Sequence, residues 1–342
     1  MSLADDLDNL KKETDPQIAE LRKALLGTQK ELAKAKQKTD ELVDATFKGA
    51  YEAMLAMGGV NPVTPPTADK RKAKAEVALV HSTDWQGAKV TTSYNSEIMQ
   101  QRVMQFADKI VHLTNLQREH HPVKECVVMF GGDMVEGLFN YPAQLWQIDN
   151  SLFGQFVNVS RLCVDFVRVM LSNFEKVTVV AEWGNHGRIG GKRAEVPKSD
   201  NVDRMVYEMS RQLLSYEKRL TWEDCPEDIQ EVQVGNYRAL LMHGDELGRS
   251  GFASPAAWIA GANRWKAGAH DYDFHDIYLG HYHRHAQEPI QKHYNIYWTG
   301  STESDNRYAR DSMAASGMPS QRLHFVDPVK GRVTSQYQVW LD

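Results

Sequence analysis

Five short clusters hold the side chains of this chain that are suited to metal chemistry. They are Asp84 with Gln86; Gly132 with Asp133; Gly184, Asn185 and His186; His243; and Gly280, His281 and His283. Taken singly they say little. A Gly-Asp pair is common, and a lone histidine is more often a satisfied core or surface residue than a ligand. Taken together they offer two carboxylates, several imidazoles and two side-chain amides. That hard-to-borderline donor field suits manganese, iron or zinc, and does not suit calcium or a cysteine-type structural zinc. Two such ions about 3.5–4 Å apart clamp an in-line displacement at phosphorus and acidify a water between them. One carboxylate has to bridge the pair, and Asp133 is the candidate. Glycines at 131, 132, 184 and 280 allow the backbone to turn sharply beside the ions.

The elements that must position these groups are legible as apolar runs. EVALVH (76–81) precedes Asp84, and CVVMF (126–130) precedes Asp133. VTVVAEW (177–183) precedes Asn185, ALLM precedes His243, and DIYL precedes His281. Each cluster therefore falls just after a predicted strand, where open α/β sheets bind their ligands. Helical periodicity separates the strands: Met99, Val103, Phe106, Ile110 and Leu113 share one face, and further helices are expected over 151–173, near 201–216 and over 255–268. A hairpin is expected around Gly235 and Asn236. Alternation of strands and helices predicts an α/β domain over 76–342, and the closing run of strands suggests a second, more antiparallel sheet.

Ahead of that domain stand a helical, coiled-coil-like extension (1–57) and a Gly- and Pro-rich linker (58–75). Asp15 and Pro16 begin a long helix in which Ile18, Leu21, Leu25, Thr28, Leu32, Ala35, Thr39 and Leu42 repeat at steps of three and four. The seam serves either a homodimer or packing within one chain. The basic run Lys70, Arg71, Lys72 and Lys74 reads as a solvated tether or a phosphate contact.

The order D-x-Q, G-D, G-N-H, H and G-H-x-H over residues 76 to about 305 resembles the calcineurin-like metallophosphoesterase superfamily. The resemblance implies a four-layer αββα sandwich, here preceded by the long N-terminal helix, with a dinuclear centre. It implies that Asp84, Gln86 and His283 hold the first metal, that Asn185, His243 and His281 hold the second, and that Asp133 bridges. It assigns His186 to the scissile phosphate and the leaving oxygen, with attack by a hydroxide bridging the ions. Manganese is the expected metal, with iron, zinc, magnesium, nickel or cobalt as alternatives. Two positions depart from the pattern. Gln86 stands where a histidine is usual, and Gly187 stands where an aspartate usually orients the histidine before it. Asp245 and Glu136 are candidates to take over that orientation.

Within the superfamily, a nuclease similar to the SbcD-type exonucleases is the leading reading, acting on DNA as a phosphodiesterase. It is supported by the basic linker, by the loop GRIGGKRAEVPK after His186 and by the possible dimer. Arg188 and Arg249 are the candidate substrate contacts, since a guanidinium is suited to forked phosphate binding. A net charge of −5 argues against it. The alternatives are a phosphatase or phosphodiesterase for a small molecule or phosphoprotein, and a non-catalytic scaffold. Three cysteines far apart form no disulfide framework, and no run reaches the roughly 18 apolar residues of a membrane span, so a cytoplasmic protein is expected.

Overall fold

The computed structural model describes residues 58–342 except 72, 139, 190–197, 225, 248–252, 293 and 307–316, together with Gly27, Ala45, Lys48, Gly49, Glu52, Ala53 and Ala56. The chain divides into two compact units, Met1–Gly49 and Ala50–Asp342. In the first, Gly27, Ala45, Lys48 and Gly49 are helical. The heptad positions from Ile18 to Leu42, and the dimer they would make, lie outside the described residues.

The second unit is mixed α/β with two sheets. Strands β1 (Glu76–Ser82), β2 (Val123–Gly131), β3 (Lys176–Glu182) and β4 (Leu220–Trp222) run parallel. They are joined by helices α1 (Ser96–Arg118), α2 (Leu152–Asn173) and α3 (Val202–Leu213). Asn95, Ser151 and Asn201 cap these helices, each accepting from a backbone N–H of the first turn. The second sheet contains the hairpin β5 (Gln230–Val234) and β6 (Tyr237–Met242), then β7 (Asp276–Leu279), β9 (Tyr294–Trp298) and β8 (Ala286–Gln291). Helix α4 (Pro255–Arg264), prolonged by one wider turn to Ala269, precedes β7.

The closing strands do not form a sheet of their own. Strands β10 (Ser320–Asp327) and β11 (Arg332–Trp340) join the first sheet antiparallel beside β1, with Leu79 opposite His324, while β8 and β9 join the second. That second sheet is itself mixed, because β6, β7 and β9 are parallel. Strand propensity marks a segment as extended but does not choose its partner, which tertiary packing decides.

Three apolar layers explain the stacking. Leu79, Val127, Met129 and Val180 of the first sheet pack directly on Val232, Ala239, Leu241 and Tyr278 of the second. On the first sheet's other face, Phe130 meets Phe166 of α2, which stacks on Phe106 of α1. The second sheet's outer face buries Met242, Ile277 and Trp298 against Trp258 and Ala262 of α4. Helices thus flank two facing sheets. The segment expected as a linker lies along the first sheet's helices: Val60 N–H donates to Leu213, and Arg168 donates to the Asn61 carbonyl. Arg71 is not a free cation, since it pairs with Asp69 at 2.7 Å and donates to the Arg118 carbonyl. No described helix is long and apolar enough to cross a membrane.

Candidate metal centre

Beyond β1 and β2 the chains stay paired. The N–H groups of Asp84, Gln86 and Gly87 donate to Gly132, Asp133 and Met134, and Glu136 N–H donates back to Gly87. This ribbon sets Asp84, Gln86, Asp133 and Glu136 in one register. Close approaches then pull in the other loops. A Cβ on Gly184 would fall 2.0 Å from Asp133 Oδ1, and one on Gly280 would fall 2.4 Å from Asp84 Oδ2, so only glycine fits at either place. Asp203, buried in the first turn of α3, accepts from Met134, Val135 and Gly184 N–H and binds two of the loops together.

Backbone strain marks the same residues. Eight described non-glycine residues have positive φ, and Asp84, Gln86, Asp133, His281 and His283 are five of them. Few non-glycine residues adopt this conformation, and it concentrates at functional sites.

The side chains converge in a continuous set of contacts. His283 Nε2 lies 3.2 Å from Asp84 Oδ1 and 3.4 Å from the Gln86 amide. Gln86 in turn lies 3.2 Å from Asp133 Oδ2. The same oxygen is 3.2 Å from His243 Nε2, which is 3.0 Å from Asn185 Oδ1. Both oxygens of Asp84 accept from His281 N–H at 3.0 Å. Asp133, His243 and His281 each offer a ligand atom, all within 4.8 Å of one another, and all three residues are buried. Asp133 therefore stands between the two expected ligand groups and touches a member of each.

His186 is held from the opposite side. Its Nδ1 lies 3.1 Å from Glu136 Oε2 and 3.2 Å from the Glu136 carbonyl, with the Gln144 amide at 3.3 Å. Its Nε2 faces Asp133 Oδ2 at 3.8 Å. Of the two candidates for orienting His186, Glu136 is the one in contact with its ring. Asp245 takes Arg188 instead, at 2.7 Å. The space a side chain at Gly187 would need is filled by Asn201, whose Oδ1 would be 2.3 Å from the new Cβ.

Burial disfavours charge on Asp133, yet the charges and hydrogen bonds of His243 and His186 outweigh it and hold the carboxyl well below its usual range. Burial likewise opposes a proton on His283, but Asp84 and Glu303 raise its pKa to about 10. For His186, Asp133 and Glu136 overcome burial and raise the proton affinity.

The donor set fits a pair of divalent cations. The carboxylates raise the proton affinity of buried His243 and His283, which is where a cation is favoured, while burial and the neighbouring His243 lower His281 to about 4. Gln86 Oε1 is also buried without a hydrogen-bond partner. Half a turn of that amide exchanges its oxygen for the nitrogen now facing Asp133 and His283, as a ligand role requires.

No protein-family model matches the chain. It is similar to the SPbeta prophage-derived uncharacterized protein YonJ of Bacillus subtilis (strain 168), at 22% identity over 330 residues, covering 93% of this chain and 77% of that protein. Among solved structures it is similar to zinc-complexed Vps29 from Entamoeba histolytica, with a TM-score of 0.33 and 12% identity over 78% of this chain and 99% of that one. It is also similar to a 5'-nucleotidase from Candida albicans SC5314, with a TM-score of 0.35 and 10% identity over 83% of this chain and 54% of that one.

Two participants escape sequence reasoning. Glu303 lies 3.0 Å from His283 Nδ1, and Lys89 lies 3.1 Å from Glu303. Glu303 carried a usable signal, because it follows the strand YNIYW as the other clusters follow theirs. Lys89 carried none. Arg249 and the basic residues Lys192 and Arg193 lie outside the described residues.

Proposed function

We propose that this chain is a metal-dependent phosphoesterase with a dinuclear centre, a member of the calcineurin-like superfamily that its motifs resemble. Asp84, Gln86 and His283 would hold one ion, Asn185, His243 and His281 the other, and Asp133 both. The observation that carries this reading is the convergence of these seven residues around Asp133, five of them on left-handed backbone. Bound ions supply Lewis acidity toward the phosphoryl oxygens. The chain supplies the rest. Glu136 engages His186 Nδ1, which leaves Nε2 to protonate the departing oxygen. Tyr141 receives a hydrogen bond from the Asn185 amide at 3.1 Å, and its ring lies 5.1 Å from that of His186, forming one wall of the site.

Within this reading, the preferred substrate is a phosphodiester, and DNA is the first to try. The basic loop after His186 supports it, as does Trp146, which is 86% exposed two residues from the Gln144 that touches His186. Aromatic rings presented in this way stack on nucleobases. Arg188 is less available than its sequence position suggested, because Asp245 engages it. A phosphatase acting on a small molecule or phosphoprotein is the second reading.

The test is hydrolysis of bis-p-nitrophenyl phosphate, p-nitrophenyl phosphate and single- and double-stranded DNA, with manganese and with chelator. His186→Ala is expected to lower kcat by about 10²–10⁴-fold while leaving manganese uptake intact. Cleavage of the monoester alone would move the substrate to the second reading. A protein that takes up no divalent metal would sink the proposal.

A further inference from the structure

Lys89 is 8% exposed, and its ammonium lies between two buried carboxylates, 3.1 Å from Glu303 Oε1 and 3.7 Å from Glu136 Oε2. Glu303 and Glu136 are 4% and 3% exposed. Each also contacts an imidazole: Glu303 reaches His283 Nδ1 at 3.0 Å through its other oxygen, and Glu136 reaches His186 Nδ1 at 3.1 Å through the same Oε2. The result is a buried row, His283–Glu303–Lys89–Glu136–His186, joining a ligand of the first ion to the residue that faces the leaving oxygen.

The physical case for a shared role is the cost of the alternatives. Two buried carboxylates without a cation between them would repel one another in a medium that screens poorly, and one carboxylate would leave a buried ammonium only half compensated. Both glutamates are buried, so solvent screens neither. The lysine is itself fixed. Its N–H donates to the Gln86 carbonyl at 2.9 Å, closing a tight turn through Gly87 and Ala88 that begins at a candidate ligand. A displacement at either end of the row is therefore felt at the other through one ammonium group.

We propose that Lys89 is a positioning residue that sets the direction of both imidazoles together, so that the metal-binding half of the site and the proton-donating half are coupled through it. The proposal rests on the phosphoesterase reading for what the two imidazoles do; the coupling itself is a property of the protein.

The experiment uses the full chain without metal and follows the side-chain nitrogen resonances of His186 and His283. Glu303 does not touch His186. Glu303→Gln is nonetheless expected to shift the His186 nitrogens, and to stop doing so in a Lys89→Gln background. Lys89→Arg, which keeps the charge, should restore part of the effect. If Glu303→Gln alters His283 alone, the coupling is wrong. Should Lys89→Gln fail to fold, the comparison of Glu303→Gln in wild type and in Lys89→Arg decides: an unchanged His186 in both overturns it. A parallel titration with manganese separates this from the parent reading. Glu303→Gln, which removes the direct partner of His283, should weaken uptake at one of the two sites by about 10–100-fold, the usual effect of losing an outer partner of a ligand. A wild-type protein that takes up no manganese defeats the phosphoesterase reading, and the resonances still decide the coupling.

Discussion

At the scale of single residues, one of the two departures from the pattern the motifs resemble has a local cause. Gly187 is glycine because the side chain of Asn201 occupies its space, and Asn201 is committed twice: it caps α3 through its oxygen and donates to the Gly184 carbonyl at 2.7 Å. The carboxylate in contact with His186 Nδ1 is then that of Glu136, three positions after Asp133. Gly187→Asp, which would restore the usual residue, is expected to destabilise the protein by about 1–3 kcal/mol through overpacking. Urea unfolding checks it, and an unchanged midpoint would mean that Asn201 gives way freely. The candidate ligands were all legible in the sequence, because each follows an apolar run. Their partners were less so. Asn201 and Asp203 lie on a helix start that reads only as a cap, and Lys89 follows a ligand loop with no pattern of its own.

At the scale of elements, a polar chain runs through the otherwise apolar seam between the sheets. Arg322 of β10 meets His324, His324 meets the Tyr278 hydroxyl, Tyr278 meets Tyr237, and Tyr237 donates to Asp276 at the start of β7. Burial pushes the Asp276 carboxyl up to about 6, against the hydrogen bonds from Tyr237 and Asn295. Its pKa is higher folded than unfolded, so the stability it contributes is complete below about pH 3.8 and is lost as pH rises through about 6. Between pH 4 and 7 the wild type should therefore lose roughly 2 kcal/mol relative to Asp276→Asn, following from about 1.4 kcal/mol per pKa unit. Urea denaturation of both proteins at the two pH values measures this, and a constant difference would refute it. None of this chain was apparent beforehand. A strand such as QRLHFVD shows its alternation but not that His324 and Arg322 would meet tyrosines of another sheet, and the division of the last four strands between two sheets was hidden for the same reason.

At the scale of the whole molecule, the candidate ligands come from both sheets. Asp84, Asp133 and Asn185 follow strands of the first, while His243, His281 and His283 follow strands of the second. The α/β class and the order of its elements follow from hydrophobic periodicity, and the meeting of the clusters at one end of the sandwich follows from the strands being parallel. Ions bound there would join segments that are far apart in sequence, and would do so only in the folded state. Manganese at about a hundred times its dissociation constant should raise the unfolding free energy by about 2.7 kcal/mol, and chelator should remove the gain. Thermal unfolding with and without the ion measures it. A midpoint indifferent to manganese would count against a site that spans the two sheets.

The left-handed backbone at Asp84, Gln86, Asp133, His281 and His283 also shapes how this chain can drift over generations. Aspartate and histidine tolerate that conformation better than most side chains, and glycine tolerates it best. At the aspartates and histidines chemistry and backbone therefore select the same few residue types, and a β-branched newcomer would offend both. A change to glycine would offend only the chemistry. Loss of a candidate ligand without loss of the fold is thus one substitution away at five places, and the sandwich can outlive its centre.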